Sequence, residues 1–191
     1  MSLVVVGSMA FDAIETPFGK SDRIIGGAAT YIAWSASNFT DTIKQISVVG
    51  GDFPKEELQA LEARGVILEG VQIKEDEKSF FWSGKYHMDM NTRDTLDTQL
   101  NVLANFTPVV PENYQDCEFL MLGNLVPAVQ LSVIKQMKER PRLVVMDTMN
   151  FWMETAMDDL KKVLEHVDVL MVNDSEAREL SNEYSLVKAA K

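Results

Sequence analysis

At 191 residues and 46% hydrophobic composition the chain can bury a sizeable core in one domain, with room for an appendage, and disorder is excluded. A formal net charge of −11 repels nucleic-acid backbones and anionic lipid, which leaves a neutral or cationic small molecule, or an anion accompanied by Mg²⁺, as the partner class. One cysteine, Cys117, excludes an internal disulfide framework, and with two separated histidines it cannot complete a usual structural zinc site.

In chain order, the apolar run at residues 3–7 predicts a first strand, too short and too poor in basic flanks to be a signal peptide. Residues 12–25 break the pattern, and then Ala29, Ile32, Ala33 and Ala36 mark a helix of small residues. A strand at 43–49 leads to a helix carrying Leu58 and Leu61, opened by Pro54 and stopped by Gly65. Residues 69–103 alternate polar and apolar about a charged turn at 74–78, as at 79–86, which predicts a small antiparallel sheet. Strands at 119–123, 143–147 and 167–173 follow, separated by helices marked by Val126, Val129, Val133 and Met137, and by Leu160, Val163 and Leu164. A last helical pattern runs through Ala177, Leu180, Tyr184 and Val187 without a glycine cap, so the chain reads as cut rather than finished. The expected fold is α/β: a three-layer, mostly parallel sheet with helices on both faces, carrying a small β insertion at about 12–25 and 69–103. That insertion reads as a lid, a dimerisation edge or plain decoration. No run reaches membrane-spanning length, and a cytoplasmic location is expected.

Ligands of open parallel sheets bind outside the carboxyl ends of the strands. That edge holds residues 7–12, Asn124, Asp147 and Asn173. Gly26 and Gly27 allow a close backbone approach and aim helix amides at a ligand, although a tight connection alone would use the same residues. Residues 173–176 read as a capping box, Asn173 with Glu176, or as an amide and a carboxylate that order water about Mg²⁺.

The order Gly7-Ser8…Asp12, GGAATYIA from Gly26, VVGGD ending at Asp52, Gly65-Val66, DTMN from Asp147 and NDSE from Asn173 resembles the ribokinase-like (PfkB) carbohydrate kinases over nearly the whole chain. The resemblance implies transfer of the ATP γ-phosphate to a hydroxyl of a sugar or sugar-like molecule, with ATP and Mg²⁺ as cofactors. Asp12 would grip the acceptor, beside the diglycine Gly26-Gly27, Tyr31 and Asn124. Asn173 and Glu176 match the N-x-x-E motif that organises Mg²⁺ and phosphates, Glu176 acting through water, with Asp147 close by. Tyr31 and Ala10 replace polar residues common in sugar-specific members; they favour a nucleoside or cyclitol acceptor, while Tyr31 could equally be a buried packing residue. The family's late G-A-G-D base, with its anion hole and adenine pocket, has no counterpart after Asn173, and Gly50-Gly51-Asp52 matches an earlier motif instead. The base is therefore expected beyond Lys191, and these residues alone are expected to be inactive. The alternative reading is a non-catalytic metabolite-binding module that dimerises through its lid strands.

Overall fold

Alternation within the first strand divides the core in two: Val4 and Val6 face one side of the sheet and Val5 the other, all three fully buried. The computed structural model describes residues 2–191. Strand β1 (Leu3–Val6) runs into an excursion formed by β2 (Ala10–Thr16) and β3 (Gly19–Gly26). Helix α1 (Ala28–Ala36), β4 (Ile43–Gly50), α2 (Lys55–Glu62) and β5 (Val66–Lys74) follow. A second excursion, β6 (Phe80–Tyr86) and β7 (Arg93–Gln99), precedes β8 (Phe119–Leu122), α3 (Pro127–Lys135), β9 (Leu143–Asp147), α4 (Asn150–Thr155), α5 (Met157–Leu164) and β10 (Val169–Met171). The chain closes with α6 (Asp174–Ser181) and α7 (Leu186–Ala189).

Six strands form one parallel sheet in the order β10-β9-β8-β1-β4-β5. On one face Val4, Val6, Ile46, Leu120 and Met146 pack with Val133 of α3 and with Leu160 and Val163 of α5. On the other, Val5, Ile43 and Val49 meet Ala29 and Ala33 of α1 and Leu61 of α2. Each such side chain contributes roughly 1.5–3 kcal/mol when fully buried. The doubly covered parallel sheet expected from the sequence is present.

Tyr114, the last residue of the 3₁₀ turn Glu112–Tyr114, is fully buried, and its hydroxyl donates to the Ile67 carbonyl of β5 at 3.0 Å. Tyr114→Phe should lower stability by about 1 kcal/mol, read as a fall of roughly 2–4 °C in the thermal midpoint.

Four expectations need correcting. The small sheet, β3-β2-β6-β7, is mixed rather than antiparallel, because β2 and β6 run parallel. Both continue outward from the carboxyl ends of parallel strands, β1 and β5, and so leave in the same direction. Residues 69–74 belong to the central sheet as the second half of β5 rather than to the insertion. The last strand is only Val169–Met171, and as an edge strand it leaves Val169 and Met171 exposed instead of buried on both faces. The terminal helical pattern is two helices: Asn182, at φ 54°, takes the left-handed conformation that ends α6.

Candidate functional site

The carboxyl ends of the central strands place Asn173 beside Asp147, then Asn124, then Gly7 and Ser8, and finally Asp52, following the spatial order of the sheet. The small sheet rises from the same edge, since β2 and β6 leave it there.

Near β1, Gly27 precedes α1 at φ 95° and ψ 141°, a conformation that costs an L side chain about 1–3 kcal/mol, and a Cβ there would lie 2.4 Å from the Ser8 carbonyl oxygen. Helix α1 is capped from a distance. The Ala28 amide donates to Ser8 Oγ at 3.1 Å, and the Ala29 amide donates to the Ser8 carbonyl at 3.0 Å. Two of the amides expected to face a ligand are thus already occupied. Gly26 pairs with Ala10 across β2 and β3, and the space its Cβ would fill holds the Asp12 carboxylate, with Oδ2 2.1 Å from the ideal Cβ position. Glycine here admits the acid. Burial pushes the Asp12 carboxyl up to about 6, and no charged group contributes. Tyr31 is exposed, not a buried packing residue, and its hydroxyl donates to the Ile25 carbonyl at 3.1 Å.

At the other end of the edge, Asn124, Asp147, Thr148, Asn173 and Glu176 line one cavity. Gln130 of α3, fully buried, donates Nε2 to the carbonyls of Gly123 and Asp147 at 3.0 and 3.1 Å, pinning the ends of β8 and β9 together. Burial first, then the charge of Glu176, pushes the Asp147 carboxyl up to about 6, against the amides of Thr148 and Asn124 that hydrogen-bond to it. Asn173 and Glu176 form a reciprocal capping box: Asn173 Oδ1 accepts the Glu176 amide and Glu176 Oε2 accepts the Asn173 amide, both at 2.9 Å. Glu176 is only 4% exposed. Asn124 belongs with this group rather than with Asp12, and its side chain is engaged: Oδ1 accepts Trp152 Nε1 at 2.8 Å and Nδ2 contacts Met149 Sδ.

Among the described residues no three His, Cys, Asp or Glu side chains form a metal cluster. The pair Asp147 and Glu176 still suits Mg²⁺, which takes one or two carboxylates and keeps waters and substrate phosphates in its shell. Burial accounts for most of the upward shift of Asp147, and the charge of Glu176 adds to it; a divalent cation would relieve that second part.

Arg93 is the first residue of β7 and lines the cavity of Asp147, Asn173 and Glu176, bringing a cation from the small sheet to the strand ends. His87 pairs with Asp94 at 2.9 Å. Trp152 holds Asn124 through its indole N–H. Sequence offered one signal for Arg93, the alternation of residues 79–86, which implied a returning partner strand.

The family profile described as pfkB family carbohydrate kinase matches residues 2–191. A cytidine kinase of Thermococcus kodakarensis is 27% identical over 194 residues, covering all of this chain and 68% of its own length. Among solved structures, the nucleoside kinase of Methanocaldococcus jannaschii superposes with a TM-score of 0.74 at 19% identity, over 99% of this chain and 67% of that one. The Burkholderia thailandensis nucleoside kinase in complex with inosine gives 0.73 at 16% identity, over 96% of this chain and 64% of that one. These structures share the fold. The chain spans about two thirds of the length of these relatives.

Proposed function

Because the chain belongs to the pfkB family of carbohydrate kinases, we propose that it forms the acceptor-binding and phosphate-facing side of an enzyme that transfers the γ-phosphate of MgATP to a hydroxyl of a nucleoside. The observation that carries this reading is the carboxylate of Asp12, which folding half-buries over Gly26 without giving it a cation. Such a group is costly unless a ligand uses it, and a pair of vicinal hydroxyls suits one carboxylate. Tyr31 adds an exposed aromatic ring one turn into α1, a surface on which a nucleobase can lie. The cytidine kinase, similar along the whole of this chain, supports a nucleoside as the acceptor.

Phosphoryl transfer depends on positioning and charge stabilisation. Asp147 and Glu176 would hold Mg²⁺, whose chemistry is to neutralise the phosphate oxygens. Arg93 would meet the same phosphates from the small sheet, so the sheet would act as a lid that is completed by the nucleotide. No late G-x-G-D aspartate follows Asn173. The general base and adenine pocket are therefore assigned to sequence beyond Lys191, and residues 1–191 alone are expected to turn over no ATP.

The test is a coupled ADP-release assay of a chain carried to the length of the relatives, with cytidine, inosine, ribose and myo-inositol offered separately. Release with a nucleoside at least tenfold above the no-acceptor background is expected. Background rates with all four would defeat the kinase reading, and cytidine binding without turnover would favour a non-catalytic metabolite-binding module.

A further inference from the structure

Asp52 ends the VVGGD run, and nothing in the proposed chemistry uses it. It stands just past β4, beside β3 on its way back to the central frame and beside Ser79, where β6 leaves it. Asp52 Oδ1 accepts the Ser79 amide at 2.7 Å, immediately before β6 begins. Asp52 Oδ2 accepts Arg23 Nη2 of β3 at 2.9 Å. Ser79 is itself buried; its Oγ accepts the Gly50 amide at 2.9 Å and its carbonyl accepts Asn101 Nδ2 at 2.8 Å. The Arg23 guanidinium also lies 3.7 Å over the ring of Phe11.

These contacts converge on one neighbour. Asp12 sits in β2 between Ile24 of β3, next to Arg23, and Trp82 of β6, three residues beyond Ser79. One carboxylate therefore ties down both strands that flank Asp12. A strand places its side chains on alternate faces, so Phe11 points toward Arg23 and the core while Asp12 points toward Gly26.

We infer that Asp52 is a positioning residue: through Arg23 and Ser79 it holds β3 and β6 against the end of β4, and this sets the burial and placement of the Asp12 carboxylate that receives the acceptor. The inference rests on the kinase reading only for the role of Asp12. The latch has one part inside and one part outside. Ser79 is buried, whereas Arg23 is more than half exposed, so Arg23 is the half whose removal opens no cavity in the core. Hydrogen bonds from Ser79 and the charge of Arg23 outweigh the effect of burial and hold the Asp52 carboxyl below its ordinary value, so it stays ionised at neutral pH.

The test compares wild type, Asp52→Asn and Arg23→Gln, without ligand, by two measurements. Side-chain carboxyl ¹³C titration reads Asp12, whose only resolved perturbation is burial among Ile24, Gly26 and Trp82. Loosening the two strands should admit water and lower its midpoint by at least roughly 0.5 pH unit in both variants. Amide hydrogen exchange should accelerate at least about tenfold in β2, β3 and the start of β6 while β8 and β9 keep their protection. An Asp12 midpoint equal to wild type in Arg23→Gln, or protection lost evenly across both sheets, would overturn the inference. Neither measurement involves phosphoryl transfer, so a failed kinase assay and a failed latch are separate results.

Discussion

Asp12→Asn is expected to weaken nucleoside binding roughly 10- to 100-fold while making the protein more stable at neutral pH. The first effect follows from losing a charged acceptor: a hydrogen bond to an ionised group contributes about 1.5–3 kcal/mol, and the amide keeps the shape without the charge. The second follows from linkage. The folded carboxyl titrates near 6 and the unfolded one near 3.8, so the native state holds its proton more tightly. Below pH 3.8 both states are protonated and the residue imposes no penalty; the penalty grows as pH rises from 3.8 to 6 and is complete above 6. Removing the charge should thus raise stability by about 1–2 kcal/mol at pH 7.5, a figure reduced for the partial exposure of the group, and by much less at pH 4.5. Urea denaturation at the two pH values, set beside calorimetric titration with cytidine, reads both effects. A variant that bound cytidine as wild type does would remove Asp12 from the acceptor site. Affinity in the wild type should likewise rise with pH through 6, as the carboxylate ionises.

Asp12 owes both effects to neighbours distant in sequence, and distance in sequence decides which parts of the molecule are legible from it. The central strands were readable because burial on both faces leaves continuous apolar runs, as at Val4, Val5 and Val6. Gly26 and Gly27 were readable as a turn, but not the reason for each: one makes room for a carboxylate and the other carries a positive φ beside the Ser8 carbonyl. The cap of α1 was invisible because Ser8 reaches it from 20 residues away, and local rules look for the capping residue at the helix start. The mixed pairing of the small sheet was hidden for the same reason, since the direction of β6 relative to β2 is decided by where both leave the central sheet.

Asp52 and Arg93 are the sharper cases. In sequence Asp52 closes a motif with no job attached to it and Arg93 is one charged residue among many, and charge by itself marks a solvated surface. Asp52 acquires its role only when residue 79 returns to meet it, 27 positions later. Arg93 acquires its own when β7 folds back along β6 and delivers it to the cavity of Asp147 and Glu176. The capping box at Asn173 and Glu176, by contrast, is local and was readable at once.

Two substitutions at Glu176 separate its capping role from a metal-binding one. Its carboxylate accepts the Asn173 amide, closing the capping box, and it also charges the cavity wall beside Asp147. Glu176→Gln keeps an oxygen for the Asn173 amide, so the helix should stay capped and stability should change by less than about 0.5 kcal/mol. Glu176→Ala loses that acceptor and leaves the Asn173 amide without its capping partner, at about 1 kcal/mol. If the pair serves only as a cap, activity should follow stability, with glutamine near wild type and alanine impaired. If Glu176 helps hold Mg²⁺ on the transferring phosphate, both should lose roughly 100-fold or more in kcat, as expected when a preorganised charge is taken from the transition state, while the KM for cytidine stays unchanged. Asp147 gives a second reading of the same change. With the neighbouring negative charge gone, its carboxyl should titrate lower in both variants, although burial keeps it above the ordinary range. Full turnover in a stably folded Glu176→Gln enzyme would return the residue to its capping role and leave the phosphates to Arg93 and Asp147.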